Sequence, residues 1–178
     1  MKGSRVAKRY ARALLGLSED RKQLEAWGAE LERLAHVADA PEIALRMASP
    51  ELSYAARVEA MAKIAERLEL SYPLRSLAVV VARHGRIASL AAVSESYQEQ
   101  LDVRLGRARA TLTFARGPST QDTAAVVRGL EAMMRKTVIA TVKVDQALLG
   151  GVVAELEGKT YDGSLATRLS EAQRRLAG

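Results

Sequence analysis

The 178-residue chain has no cysteine, which rules out a disulfide framework, a thiolate metal site and a cysteine nucleophile together. That composition fits a reducing, cytosolic compartment. Aromatic residues are scarce as well, with one Phe, one Trp and five Tyr. Ala, Leu and Val therefore carry the apolar positions, which favours close-packed helices over a surface for stacking bases. The two histidines, His36 and His84, fall on different predicted helices, so no helix carries a pair of histidine ligands, and no cysteine is there to join them. His84, beside Gly85, reads as a helix C-terminal residue. Neither a P-loop nor a G-x-G-x-x-G run occurs, so the chain has no phosphate cradle of its own. The longest strongly apolar run, Leu77 to Ala82, is far too short to cross a bilayer, so membrane association has to come through partners. Asp145 and Asp162 could be taken for an acid/base pair, but both precede turn residues, where aspartate commonly bonds its own backbone. The sequence thus predicts no enzyme, no cofactor and no metal site.

What is present in excess is positive charge, +6 net with a pI near 9.8, which calls for weighing an anionic partner. The charge is dispersed. Its clearest cluster, Lys2, Arg5, Lys8, Arg9 and Arg12, precedes the first acid, Glu19. No small-residue cleavage site follows it and the pattern runs straight into the next helix, so it reads as a solvated face rather than a transit peptide. A start directly on a helix favours a bacterial or already processed chain.

The first hundred residues carry helical periodicity with little interruption. Val6, Tyr10, Ala13, Leu14 and Leu17 form one stripe, with Ser4 as N-cap, and Leu24, Trp27, Leu31, Leu34, Ala35 and Ala38 form a longer one. A short helix starts at Pro41 with Ile43, Ala44 and Met47, and Ser49-Pro50 breaks it. Ser53 caps a fourth, with Tyr54, Val58, Met61, Ala62, Ala65 and Leu68 inward. Pro73 opens a fifth whose apolar residues, Leu74 and Leu77 through Ala82, cover nearly its whole circumference, the pattern of a central buried helix. Ile87, Leu90, Ala91, Tyr97, Leu101 and Leu105 make a sixth that Gly106 ends.

From Arg107 the period becomes two. Ala108, Ala110, Leu112 and Phe114 alternate with polar residues, as do Val138, Ala140, Val142 and Val144. Between these strands Ser119-x-x-Asp122 starts a helix with Val126, Val127, Leu130, Met133 and Met134 on one face. Asp145 turns the chain, Gly150-Gly151 lets Val152 to Leu156 return as a further strand, and Gly158-Lys159 marks another turn. Asp162 or Ser164 then caps a last helix with Leu165, Leu169, Ala172 and Leu176. The expected fold class is α+β, an N-terminal six-helix bundle over residues 1–105 followed by a small β-α-β-β-α domain over 106–178.

The order Asp145, Leu148, Gly150, Gly151 and then Asp162, Gly163, Ser164, Arg168 resembles the C-terminal signature of the delta subunit of F-type ATP synthases, whose mitochondrial counterpart is the oligomycin-sensitivity-conferring protein. Gln146 stands where that family commonly has proline. Arg9-Tyr10-Ala11-Arg12-Ala13 resembles the run that opens the family's helical half, and Ala82-Arg83-His84-Gly85-Arg86 resembles the end of its fifth helix.

The resemblance implies a connector without chemistry: a peripheral-stalk subunit linking the alpha/beta catalytic head to the membrane-anchored b subunits, so that proton flow is coupled to ATP synthesis. It implies that the helical half takes an N-terminal helix of an alpha subunit between its first and fifth helices. The corresponding positions are Ala7, Tyr10, Ala11, Leu14, Leu77, Val80, Val81 and His84. It implies that the second half meets the b subunits, and that the protein lies on the cytoplasmic side of a bacterial inner membrane, attached only through the complex, with no direct nucleic-acid contact. The alternative left by charge and topology is a small basic RNA-binding protein.

Overall fold

Asp20 begins the longest helix by accepting a hydrogen bond at 2.9 Å from the Lys22 amide, one of the donors a helix start leaves unpaired. The structure, a computed structural model, describes residues 5–148 and 150–163. Its packing divides the chain into Met1–Leu101 and Asp102–Gly178. Among the described residues it is an α+β protein with seven α-helices and one four-stranded mixed sheet.

In the first unit α1 spans Arg5–Leu15, α2 Arg21–Asp39, α3 Pro41–Ala48, α4 Tyr54–Arg67 and α5 Tyr72–Arg83. A 3-10 turn, Ile87–Ser89, leads into α6, Leu90–Arg104. The stripe expected on α2 is the buried one, Leu24, Trp27, Leu31, Leu34, Ala35 and Ala38. To it the structure adds Gly28, where a methyl group would sit 2.8 Å from Gln98 Nε2 and 3.3 Å from the Tyr97 ring, so glycine lets α6 lie close against α2. Tyr97 is fully buried and donates its hydroxyl proton to the Leu24 carbonyl at 2.9 Å. A buried phenol needs such a partner.

Several sequence expectations change. Leu17 lies beyond the end of α1 and is exposed, and Tyr54, at the first turn of α4, is exposed rather than inward. Of the predicted inner face of α4 only Met61 and Ala65 are fully covered, and α3 buries no residue. Nor is α5 closed in on every side, since Leu74, Leu77, Ala78, Val81 and Ala82 are buried but Val80 is 37% exposed. Its apolar circumference overstated its burial. Ser53 does cap α4, its hydroxyl accepting from the Ala56 amide at 3.2 Å. The proposed cap at Ser4 lies outside the described residues.

The second unit begins in the last turn of α6, where Arg109 Nε donates to Asp102 Oδ2 at 2.5 Å. Strand β1 runs over Arg107–Phe114, α7 over Thr120–Met134, β2 over Thr137–Val144, β3 over Val152–Leu156 and β4 over Lys159–Asp162. The capping box read from sequence is present in full: Asp122 N donates to Ser119 Oγ at 3.1 Å and Ser119 N to Asp122 Oδ2 at 3.1 Å. The side-chain bond from the Ser119 hydroxyl, and then the backbone bond, hold the Asp122 carboxyl below its ordinary pKa.

Strand order is β2-β1-β3-β4. The strand expected after the glycine pair is present, and it does not lie beside β2. β2 pairs with β1 in parallel, Ala108 opposite Val138, while β3 pairs antiparallel with β1 from its other side, Leu112 opposite Ala154. Alternation along each strand says which face is buried but not which neighbour it takes. Strand β4 is an addition, joined to β3 through Glu157-Gly158, so Lys159 begins a strand rather than completing a turn, and Asp162 ends that strand. Residues Ala108, Ala110, Leu112, Phe114, Leu130, Val138, Ala154 and Leu156 form this unit's core. Val142 and Val144, on the outer strand, are exposed although they pair with the core residues Leu112 and Phe114. The last helix expected from Leu165, Leu169, Ala172 and Leu176 lies outside the described residues.

Candidate functional site

The residues proposed to meet a partner on α1 and α5 separate into two groups by burial. Ala7 and Ala11 are fully covered within the unit, and Leu14, Leu77 and Val81 are nearly so. They build the wall. Tyr10 is half-buried, and Val80 and His84 are exposed. Tyr10 and Arg86, far apart in sequence, are brought together: Arg86 Nη1 donates to the Tyr10 hydroxyl at 3.2 Å. This bond fixes the phenol at the end of α5. Arg9 places its guanidinium carbon 6.0 Å from the Tyr10 ring centroid, at the edge of cation–π range. His84 Nδ1 lies 2.8 Å from the Val80 carbonyl, which places His84 at the C-cap as its position beside Gly85 had suggested. Gln100 Nε2 donates to the Lys8 carbonyl at 3.4 Å, tying α1 to α6.

The accessible part of the expected site is thus Tyr10, with the cationic residues Arg9 and Arg86 beside it, and Val80 on α5. It offers an amphipathic anchor and an apolar contact but no nucleophile, no acid/base pair and no phosphate cradle. Sequence reasoning missed Arg86 as part of it, because the residue follows the helix end and only the folded chain sets it against Tyr10.

In the second unit the two halves of the C-terminal signature converge. Asp145 receives the chain at the end of β2: its amide donates to the Phe114 carbonyl at 2.9 Å and its carboxylate accepts from the Ala147 amide at 2.9 Å. Asp145 is a turn residue. Leu148 closes the same turn, its amide donating to the Asp145 carbonyl at 3.2 Å. Gly150 and Gly151 have φ of 146° and 87°, a region favouring glycine. Gly163 donates its amide to the Val152 carbonyl at 2.9 Å, and a methyl group on it would approach that carbonyl to 3.1 Å. Gly150, Gly151 and Gly163 line one cleft of about 530 Å³ with Phe114, Val126 and Val152. Asp162 is in β4, and Ser164 and Arg168 lie outside the described residues.

Among the described residues no three His, Asp or Glu side chains cluster so as to hold a metal ion, and no helix is long and apolar enough to cross a membrane.

The described residues thus form one helical unit and one built on a mixed sheet, with Tyr10 and Val80 accessible in the first and a glycine-lined turn in the second. Comparison with known proteins is specific about the class. Residues 6–176 match the family model for the ATP synthase delta (OSCP) subunit, and the chain belongs to that family. It is 33% identical over 172 residues to the ATP synthase subunit delta of Anaeromyxobacter sp. (strain K), covering 96% of each chain. It is 32% identical over 174 residues to that of Citrifermentans bemidjiense, covering 97% of each. Its fold matches a chain in a cryo-EM structure of the Toxoplasma gondii mitochondrial ATP synthase hexamer with a TM-score of 0.66 at 18% identity, over 98% of this chain and 99% of the other. As a member of this family the chain is a peripheral-stalk subunit of F-type ATP synthase and is not itself catalytic. The RNA-binding alternative finds no support in these matches.

Proposed function

We propose that the first unit works as a six-helix bundle that binds the alpha/beta catalytic head. In this reading Tyr10, Val80 and His84 form the contact, and Ala7, Ala11, Leu14, Leu77 and Val81 form the packed floor beneath it. The observations that support it are the Tyr10–Arg86 hydrogen bond at 3.2 Å and the exposure of Val80 on α5. A tyrosine held in one orientation before binding loses little side-chain entropy on binding, and tyrosine and arginine are the residue types that dominate interfaces. The partner this patch suits is an amphipathic N-terminal helix of an alpha subunit, laid with its apolar side on Val80 and Tyr10.

The second unit, residues 106–178 in this reading, meets the b subunits with the signature turn at Asp145, Leu148, Gly150 and Gly151 and the residues that follow from Asp162 to Arg168. The whole chain then links the head to the membrane, on the cytoplasmic side of a bacterial inner membrane, and holds the head still against the rotating shaft. Association with the membrane comes only through the complex.

The test is titration of the full chain with a peptide of the alpha N-terminus at several salt concentrations. The expected result is saturable binding with a shallow salt dependence, because apolar packing carries it. Tight RNA binding with log K falling steeply against log salt, and no peptide binding, would overturn the assignment.

A further inference from the structure

The two outer strands end the sheet in different ways. Strand β4 has four residues and a charge at each end, Lys159 and Asp162, the short, charged form by which a sheet edge is closed to further pairing. Strand β2, at the other margin, runs for eight residues, Thr137 to Val144, with one charge, Lys143. All of them except Ala140 and Lys143 are β-branched, and no proline or glycine interrupts the run. Among the described residues β2 pairs only with β1.

Alternation of the hydrogen bonds says which groups of β2 point away from the sheet. The Thr137 amide donates to the Gly106 carbonyl at 3.1 Å and the Asp145 amide to the Phe114 carbonyl at 2.9 Å, so the odd-numbered amides turn towards β1. The amides and carbonyls of Val138, Ala140, Val142 and Val144 therefore turn outward. Val142 and Val144 are 41% and 52% exposed, and Thr141 and Lys143 are exposed beside them. The occupant such an edge fits is another strand, which presents donors and acceptors at the same repeat.

The residues of β2 suit a second copy of the same strand. Laid antiparallel on itself about Thr141, β2 sets Val142 opposite the partner's Ala140, Val144 opposite the partner's Val138 and Lys143 opposite the partner's Ile139. Both exposed valines meet apolar residues, the two Thr141 side chains face each other, and no lysine meets a lysine. Pairing about Ala140 instead sets Val144 against the partner's Lys136, so the register about Thr141 is preferred. In it the outward amides and carbonyls of the two strands satisfy one another across a two-fold axis.

We propose that two free copies of the chain join edge to edge through β2, in this register, to make one continuous sheet. The pairing does not depend on the stalk role and concerns the chain before it meets any other partner.

Sedimentation equilibrium of the full chain over a range of concentrations is expected to show reversible exchange between monomer and dimer. Because the chain has no cysteine, Thr141→Cys introduces its only thiol. Opposite residues in a non-hydrogen-bonded antiparallel pair have Cα atoms about 4.5 Å apart, within the roughly 4.4–6.8 Å that a disulfide spans. Under mild oxidation Thr141→Cys is expected to cross-link into a dimer at least tenfold faster than Thr137→Cys, which this register sets opposite the partner's Asp145. Val142→Pro removes an outward donor but no bond to β1, and is expected to weaken dimerisation at least tenfold. Thr141→Arg, at an exposed position, sets two cations opposite each other, is expected to do the same, and serves alone should the proline variant unfold. A chain that stays monomeric at every concentration would overturn the proposal, as would equal cross-linking of the two cysteine variants or undiminished dimerisation of folded Thr141→Arg.

Discussion

Glu30, on α2, stands in for the capping residue that α5 lacks: its carboxylate accepts from the Ser71 amide at 2.7 Å and from the Ser71 hydroxyl at 2.8 Å. Ser71 is the N-cap of α5, yet its hydroxyl makes no cap bond to the helix. In a capping box a Glu three residues into the helix would satisfy the N-cap amide, but here that position is Leu74, which the core requires. An acid from a neighbouring helix fills the gap.

Glu30→Ala leaves the Ser71 amide without its charged acceptor and should cost about 2 kcal/mol of stability, within the range for hydrogen bonds to charged groups. Glu30→Gln should cost less, since an amide oxygen still accepts. Denaturant unfolding of the two full-length variants measures the difference, and equal stability of both with the parent chain would show that Ser71 is satisfied by water.

The contrast with the cap at Ser53 shows what sequence can and cannot say. Ser53, Ser119 and Asp122 act on amides two or three residues away, so their roles were legible from spacing alone. The buried stripe of α2 and the inward face of β1 were legible for the same reason, since periodicity is local. Glu30, Arg86 and the position of β3 depend on which elements become neighbours, and nothing in the residues around them encodes that. Within the candidate site Tyr10 and Val80 could be picked out by type and by place on the helix. The complete burial of Ala7 and Ala11 could not.

The capping box of α7 gives a pH dependence. Asp122 has its folded pKa lowered by Ser119, so its stabilising effect is complete above the ordinary aspartate value of 3.8 and is lost as pH falls through the lower folded value. Melting temperatures of the parent chain and of Asp122→Ala should differ at neutral pH and converge in acid. A difference that persisted unchanged at the lowest pH would mean that the carboxylate charge plays no part.

Gly151→Val places a β-branched side chain at a φ of 87° and should destabilise the second unit by about 1–3 kcal/mol. The helical unit should be spared. Limited proteolysis read by mass spectrometry distinguishes the two, with cleavage expected beyond residue 106 first. Cleavage that begins equally in both units would count against independent folding.

Tyr10→Ala and Val80→Asp should each weaken alpha-peptide binding by about 2 kcal/mol, the loss typical of an interface hot spot. Val80 is 37% exposed, so an aspartate there reaches water and folding should change by less than about 1 kcal/mol. Thermal unfolding and peptide titration of the same samples separate the effects. A collapsed melt with normal binding by the surviving folded protein would place these side chains in the core.

A fragment of residues 1–105 should melt cooperatively as a helical protein. It retains the Glu30–Ser71, Tyr97–Leu24 and Tyr10–Arg86 bonds, although it leaves Asp102 without Arg109. Circular dichroism on heating is the check, and a featureless melt with the full chain stable would move the boundary.

The strand order has a mechanical consequence. The chain enters the sheet directly from α6 onto β1, and β1 is bonded on both sides, to β2 along its whole length and to β3 over Ala110 to Phe114. The inter-strand bonds lie across the strands, so a pull along β1 loads them in shear, many at a time, instead of peeling them singly as it would at a free edge. A tether that must stay taut under repeated tugging is best fastened to the middle of the cloth, and this chain is sewn in at its central strand.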